Sequence, residues 1–305
     1  MSAVLSAAPA RRSAARGGLL WILLAAILWG TVGVTTRAIF TLAETTALSV
    51  AFLRLALAVP VLALATAAIL GRRGFSAAPR HLLLMGLMGL LLAGYQLLYF
   101  GAIQRVGVAV ATLVTLCTAP VIVAVLSVAL LGERPTRRLV TAAGLAIGGT
   151  VLLVSPADSA ALDDSAALGL LLALGSATGY ALLTIVSRRI AGRYHPLTPL
   201  TVGFAIGSLA LLTALLLEGA HVTYPVVSWG LLLYLGVVPT AFAYFLFTIG
   251  MRTTAATVAS LVTLVEPLTA AGLAWLLFDE RLGSLALVGA ALLLGAVFLL
   301  TRDTP

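Results

Sequence analysis

The feature that most constrains this chain is a series of apolar stretches, each about twenty residues long, which charged residues almost never interrupt. Hydrophobic residues make up 62% of its 305 residues and charged ones 9%, whereas soluble domains contain roughly 45–50% and about 25%. Because about 20 helical residues cross the hydrocarbon core of a bilayer, each stretch predicts a transmembrane helix. The runs are continuous and do not alternate, which excludes a barrel.

We therefore predict an all-α, polytopic membrane protein with ten transmembrane helices joined by short loops. The approximate spans are residues 18–36, 46–70, 82–103, 108–131, 139–155, 166–187, 197–217, 226–249, 254–277 and 283–301. Residues 1–16 contain mainly Ala, Ser and Arg, and we expect them to form a disordered cytoplasmic tail.

The distribution of arginine predicts the orientation of the spans. All 18 basic residues are arginines, and 14 of them fall on one side of the membrane if the N-terminus is cytoplasmic. Only Arg37, Arg105 and Arg281 fall on the other side, and Arg54 lies within the second span. Since short loops obey the positive-inside rule, we expect both termini to be cytoplasmic.

Two segments, residues 105–136 and 252–283, resemble each other at a distance of 147 positions. Each is apolar, contains a proline in mid-span and ends at a Glu-Arg pair. The matched residues include Arg105 and Arg252, Pro120 and Pro267, Glu133 and Glu280, and Arg134 and Arg281. A chain built from two related membrane-spanning halves is typical of secondary transporters.

Five spans in each half place the two Glu-Arg pairs on opposite sides of the membrane, so the repeats must be inverted. The predicted organisation is a cytoplasmic tail (1–16), a first five-helix repeat (17–155), a linker loop (156–165) and a second five-helix repeat (166–302). We expect the two repeats to surround a central cavity.

Absent residue types exclude several functions. The chain has no lysine, so it cannot contain the G-x-x-x-x-G-K-[ST] loop of ATP hydrolysis. Because no catalytic constellation or metal motif appears, we expect no enzyme activity, no metal and no cofactor. The arginines are dispersed over loops without interleaved aromatic residues, which argues against nucleic acid. The predicted partners are a small-molecule substrate and the lipid bilayer.

Two ionisable residues, Arg54 and Glu266, lie deep within apolar spans. Charges at membrane depth cost about 2.5–3.5 kcal/mol on insertion scales, so they face protein or a water-filled cavity. They could form a structural ion pair, act in substrate or proton handling, or reach the membrane surface. The sequence does not decide among these alternatives.

Pro120 and Pro267 occupy matched positions in the two repeats. A proline lacks an N–H group and frees the carbonyl four residues earlier, here at Leu116 and Thr263. We interpret the two prolines as paired gate elements, with simple packing kinks as the alternative.

Mid-span aromatic residues suggest a mildly polar cavity that would bind flat or apolar solutes. Tyr95 and Tyr99 share one face of a helix because they are four residues apart, and ordinary packing remains an alternative for each residue of this kind. The candidate cavity residues are Trp29, Tyr95, Gln96, Tyr99, Tyr180, Phe242, Tyr244 and Thr263.

Together the motifs resemble the drug/metabolite transporter superfamily in its ten-span EamA branch, over residues 18–301. They are Trp29-Gly30, Phe52-Leu53-Arg54, Pro120 with Gly132-Glu133-Arg134, and Glu266-Pro267 with Asp279-Glu280-Arg281. The similarity is greatest to YddG-type bacterial exporters of aromatic amino acids and some cationic compounds. The resemblance implies a multi-pass protein of the bacterial inner membrane that exports solutes by alternating access.

The sequence thus predicts a secondary transporter that exports amino acids, with aromatic and other apolar ones favoured, and related metabolites. An exporter of cationic or amphipathic drugs is the alternative within transport, and a non-transporting membrane scaffold is the alternative outside it. The absence of lysine from span nine argues against the anionic phosphate substrates of related families.

Overall fold

The computed structural model describes residues 7–131, 137–154, 164–190, 192–218, 223–251, 253–254, 262–263 and 265–301. All regular secondary structure in these ranges is helical. Six helical stretches are long and apolar enough to cross a membrane, and three shorter apolar helices accompany them in the same ranges. The chain is therefore an all-helical, multi-pass membrane protein. The count of ten spans and the inversion of the halves remain predictions.

The α-helices of the described ranges overlap the predicted apolar stretches. They are α1 (Ala7–Leu42), α2 (Ala47–Leu70), α3 (Pro79–Leu131), α4 (Arg137–Val154), α5 (Asp164–Arg188), α6 (Leu197–Glu218), α7 (Val226–Gly236), α8 (Ala243–Gly250), α9 (Val265–Phe278) and α10 (Ser284–Thr301). Helix α3 covers two of the stretches, and α7 and α8 share one. A short 3-10 helix, Gly71–Phe75, follows α2, and a π-helical segment, Val237–Phe242, joins α7 to α8. Residues 7–16 differ from the expected disordered tail because they extend α1, as alanine and arginine favour helix.

Helix α3 covers two predicted spans. Its 53 residues would measure about 80 Å if straight, far more than one bilayer crossing needs. Gly107 breaks it, with φ 77° and ψ 174°, a conformation that is essentially restricted to glycine. The Tyr99 hydroxyl lies 2.6 Å from Thr112 Oγ1 and so joins the two portions across the break.

Contacts between distant segments define the packing of the helices. Helix α1 packs against α8 and α9, while α5 packs along α3. Helix α2 packs against α6, and α4 against α10. Two loops that we expect on the cytoplasmic side also meet, since the Tyr194 hydroxyl contacts the backbone N–H of Ala78 and Nδ1 of His81 at 3.1 and 2.8 Å.

The two matched prolines occupy different local structures. Pro120 lies in the interior of α3, whereas Pro267 is the third residue of α9. In the first turn of a helix the missing N–H of proline leaves no broken hydrogen bond. The carbonyl of Thr263 accepts a hydrogen bond from the N–H of Glu266 at 3.0 Å, so the expectation of a free carbonyl there is wrong.

Candidate functional site

An aromatic cluster lies between helices of both halves of the chain. We define it as Trp29, Phe204, Tyr244 and Phe247, together with Tyr95, Tyr99 and Tyr180 nearby. The ring centroids of Trp29 and Tyr244 are 5.1 Å apart, those of Phe204 and Tyr244 are 5.6 Å apart, and those of Tyr95 and Tyr180 are 5.4 Å apart. Tyr95 and Tyr244 also interact electrostatically. These separations are typical of favourable edge-to-face and tilted aromatic pairs.

Arg54 of α2 is buried beside this cluster, with 6% of its surface exposed. Its Nε–H donates to Thr240 Oγ1 at 2.8 Å. Its Cζ lies 5.9 Å from the centroid of the Phe100 ring, within the range of a cation–π contact. The side chain therefore does not extend to the protein surface, which removes that alternative for Arg54.

The π-helical segment Val237–Phe242 supplies the partner of Arg54. Pro239 has no N–H group, so it cannot donate to the carbonyl of Leu235 as an α-helix would require. That carbonyl instead accepts a hydrogen bond of 2.7 Å from the Thr240 hydroxyl, five residues along the chain. Single π-turns within helices occur frequently at functional sites.

Glu266 lies in the first turn of α9, where α1 approaches closely. A Cβ atom on Gly30 would lie 2.9 Å from the carbonyl oxygen of Glu266 and 2.6 Å from Cβ of Thr269. Only glycine at position 30 allows this approach, which explains the Trp-Gly motif in α1. Glycine and other small residues allow such close contact between membrane helices.

Arg54 and Glu266 interact electrostatically, but no hydrogen bond or ion pair joins their side chains in the described part of the chain. Both also interact electrostatically with Tyr95 and Tyr244. The terminal nitrogens of Arg54 and the carboxylate of Glu266 have no hydrogen-bond partner in the described ranges, yet neither is among the fully enclosed unpaired polar atoms. Ionisable side chains at membrane depth that have no bonded partner in these ranges are candidates for contact with a small polar molecule.

Trp29 Nε1 is an enclosed polar atom that has no partner in the described ranges. A buried N–H without an acceptor costs roughly 1–3 kcal/mol. It lies on the ring that contacts Tyr244 and Phe247, so it belongs to the same aromatic cluster.

Two predicted cavity residues, Phe242 and Gln96, do not join the cluster as expected. Phe242 is 49% exposed, because it lies two residues and therefore about half a turn away from Tyr244 on the helix. The Gln96 amide donates to the carbonyl of Ala51 at 3.1 Å and so links α3 to α2. Thr263 precedes α9 and holds its first turn through its carbonyl.

Sequence reasoning missed Thr240, Pro239 and Phe204. The Pro-Thr pair inside an apolar span was an available signal, since a proline in the interior of a membrane helix frees a carbonyl that a nearby hydroxyl can satisfy. No pattern in the sequence could indicate that Phe204 lies against Tyr244. Within the described ranges, no group of three or more His, Cys, Asp or Glu residues could hold a metal ion.

A second charged group lies at one end of the helices. Glu280 forms an ion pair with Arg37 of α1 and accepts hydrogen bonds from the backbone N–H groups of Val108 and Ala109 at 3.2 and 3.1 Å. It therefore caps the portion of α3 that begins after Gly107. The Arg37 guanidinium also lies 4.9 Å from the ring centroid of Phe278.

Comparison with known proteins assigns this architecture to a family. The model of the EamA-like transporter family matches residues 16–155 and again residues 167–302. This chain belongs to the EamA-like transporter family. Its membership within the drug/metabolite transporter superfamily agrees with the resemblance of its motifs, and the chain is a transporter that acts on a small molecule in a lipid bilayer.

Relatives of the family cover almost the whole chain. The "Uncharacterized transporter YwfM" of Bacillus subtilis is 33% identical over 90% of both chains. The "Uncharacterized inner membrane transporter YicL" of Salmonella typhimurium is 29% identical over 95% of this chain and 96% of its own length. A crystal structure with 22% identity has a similar fold, with a TM-score of 0.65 over 92% of this chain and 95% of the other.

Proposed function

We propose that this EamA-like transporter exports amino acids, with aromatic and other apolar ones favoured, and related metabolites across the bacterial inner membrane. The observation that carries the proposal is an arginine and a glutamate, not joined as an ion pair, beside the aromatic cluster. A zwitterionic amino acid supplies an opposite charge for each of them, and its side chain can pack on the rings. The resemblance to YddG-type exporters of aromatic amino acids supports the same substrate class.

Alternating access by two inverted halves is the proposed mechanism. The packing of the two halves is reciprocal, which supports this mechanism. Helix α1 of the first half packs on α8 and α9 of the second half, and α5 of the second half packs on α3 of the first half. The pairs α2 with α6 and α4 with α10 join counterparts of the two halves. Such exchange is expected of repeats related by an axis in the membrane plane.

Solute counterflow in proteoliposomes tests the substrate class. Purified protein is reconstituted with unlabelled L-phenylalanine or L-leucine inside the vesicles, and uptake of the same labelled amino acid is followed. We expect saturable exchange that excess unlabelled amino acid inhibits, with protein-free vesicles as the control. No exchange of any amino acid in a full panel would contradict the proposal.

One-sided labelling tests the inverted orientation. Arg137 and Arg281 are exposed, and the prediction places them on opposite sides of the membrane. In a Cys117→Ala background, Arg137→Cys should react with an impermeant maleimide only from the cytoplasmic side, and Arg281→Cys only from the outside. Labelling of both positions from the same side would contradict inversion and, with it, the proposed mechanism.

Export of cationic or amphipathic drugs is the second candidate function. The observation that favours it is the carboxylate of Glu266, which no ion pair with Arg54 neutralises in the described part of the chain. An organic cation could pair with this carboxylate and stack on the aromatic cluster. Counterflow of a labelled quaternary ammonium compound that amino acids do not inhibit would favour this function.

A further inference from the structure

We infer that Arg54 is the carboxylate-binding residue of the substrate site, and that the π-helical segment Val237–Phe242 positions it through Thr240. This inference rests on the proposed function, because it assigns one end of the amino acid to a particular side chain. It adds a requirement, namely that good substrates carry a free carboxylate. An amide or amine of the same shape should be a poor substrate.

The first step is an account of the hydrogen-bond donors of Arg54. A guanidinium has five N–H groups, and the one on Nε is used by Thr240. The four on the terminal nitrogens donate to no protein atom in the described ranges, although 94% of the residue is buried (6% exposed). An unpaired buried charge is costly, and the Phe100 ring at 5.9 Å offers only partial compensation.

The geometry of those free donors selects the ligand. The two terminal nitrogens form a planar fork whose spacing matches the two oxygens of a carboxylate. Because Nε is already bonded to Thr240, only this end-on approach is available. A neutral amide offers a single oxygen and no charge, so it can satisfy the fork only in part.

The second step concerns the orientation of the Thr240 hydroxyl. Its only proton is donated to the carbonyl of Leu235, at 2.7 Å, so the oxygen that faces Arg54 can act only as an acceptor. Pro239 makes this arrangement possible, because its missing N–H leaves the Leu235 carbonyl available to the hydroxyl. The π-turn thus holds a fixed acceptor against Nε and leaves the two terminal nitrogens as the edge of the guanidinium that can meet a ligand.

Glu266 carries the opposite charge to Arg54, so the two side chains define an orientation for a bound substrate. Its carboxylate interacts electrostatically with Arg54 and with the surrounding tyrosines, and it can receive the ammonium group. The two ends of a zwitterion are thus distinguished by two side chains. A ligand that lacks the carboxylate should therefore lose its contact with Arg54, and a ligand that lacks the ammonium group should lose its contact with Glu266.

The test compares three ligands of one shape in proteoliposome exchange: L-phenylalanine, L-phenylalaninamide and 3-phenylpropanoate. For the wild type we expect a KM for the amide at least about tenfold higher than for phenylalanine, as loss of a charge-assisted hydrogen bond implies. Arg54→Gln should remove this preference for the acid. It should change the KM for the amide much less, by no more than about twofold, since the amide satisfies the fork only in part.

Variants of Thr240 separate positioning from folding. Thr240→Val should raise the KM for phenylalanine and 3-phenylpropanoate about threefold to tenfold, whereas Thr240→Ser should restore it because the hydroxyl returns. Thr150→Val is the matched control, since Thr150 is also buried (7% exposed, against 1% for Thr240) and donates to the carbonyl of Ala146 within α4. It should leave the KM of all three ligands unchanged.

The outcomes distinguish the two proposals. If the wild type exchanges no amino acid, the proposed function is wrong and this inference is wrong with it. If phenylalanine and its amide are exchanged with equal KM, the assignment of Arg54 is wrong while the proposed function stands. If Thr240→Val and Thr150→Val behave alike, the π-turn has no positioning role.

Discussion

Two arginine–glutamate combinations flank the same short helix, α9, and they differ in how their charges are compensated. Glu280, just beyond the C-terminal end of α9, is joined to Arg37 and to two backbone N–H groups. Glu266, in the first turn of α9, has Arg54 within electrostatic range but no bonded partner in the described ranges. The first combination is complete within the protein, whereas we propose that a substrate completes the second.

The difference separates a structural role from a functional one. A carboxylate that accepts three hydrogen bonds and caps a helix lowers the free energy of the folded protein. A carboxylate that lacks a bonded partner raises it, and so does a guanidinium whose terminal nitrogens lack one, because each loses hydration without full compensation. Residues of the second kind at membrane depth are therefore candidates for contact with a substrate or an ion.

The largest effect that we expect is on stability, from Glu280→Ala. The substitution removes the ion pair with Arg37 and leaves the N–H groups of Val108 and Ala109 without their acceptor. We expect the free energy of unfolding to fall by about 2–3 kcal/mol, as for loss of a charged helix cap. Denaturant unfolding of the detergent-purified protein measures it.

Arg281→Ala is the control for that substitution. Arg281 pairs with Asp279 at 2.7 Å, but both side chains are more than 70% exposed (75% and 72%), and exposed pairs contribute about 0–1 kcal/mol. Its unfolding free energy should stay within about 0.5 kcal/mol of the wild type. Equal losses for the two variants would show that the Glu280 contacts do not stabilise the fold.

Glu266→Gln should have the opposite pattern. The substitution keeps the shape and removes a charge that no bonded partner compensates, so the unfolding free energy should be unchanged or higher. Transport should suffer, with kcat/KM for phenylalanine falling at least about tenfold, or about 1.4 kcal/mol. Counterflow and denaturant unfolding on the same preparation measure the two effects.

The opposite result would show that the two arginine–glutamate combinations do not differ in role. If Glu266→Gln unfolded more easily and transported normally, Glu266 would be a packing residue like Glu280. Glu44→Gln is a suitable control for the loss of one acidic charge, since Glu44 lies exposed between α1 and α2. It should change neither property.

Much of the architecture could be predicted from the sequence because the bilayer imposes one solution on a long apolar run. A continuous stretch of about twenty apolar residues must be helical, and the helices overlap the predicted spans. Arg54 and Glu266 could also be identified from the sequence, because a charged residue within such a run is costly and is usually paired or functional. Their lack of mutual pairing could not be predicted, since it depends on distances across helices.

The local errors have identifiable physical causes. Pro267 matches Pro120 in sequence, but it lies in the first turn of α9, which begins at Val265, whereas Pro120 lies in the interior of α3. The role of Thr240 depends on a π-turn of six residues, which has no periodicity signal in the sequence. Glu280 was recognisable as part of the repeat, whereas its partner Arg37 is 243 positions away and carries no motif.

The smallest expected effect concerns the structural combination, that of Glu280 and Arg37. Gly107 and Gly192 both have positive φ, 77° and 76°, so alanine is strained at either position by about 1 kcal/mol. A Cβ on Gly107 would in addition lie 3.0 Å from both carboxylate oxygens of Glu280, while one on Gly192 meets nothing within 4 Å. Gly107→Ala should therefore lower the unfolding free energy by about 1 kcal/mol more than Gly192→Ala. In a Glu280→Ala background this excess should disappear, because the carboxylate that the new methyl group displaces is gone. An excess that persists there would place the strain in the backbone of α3 and not in the contact with Glu280.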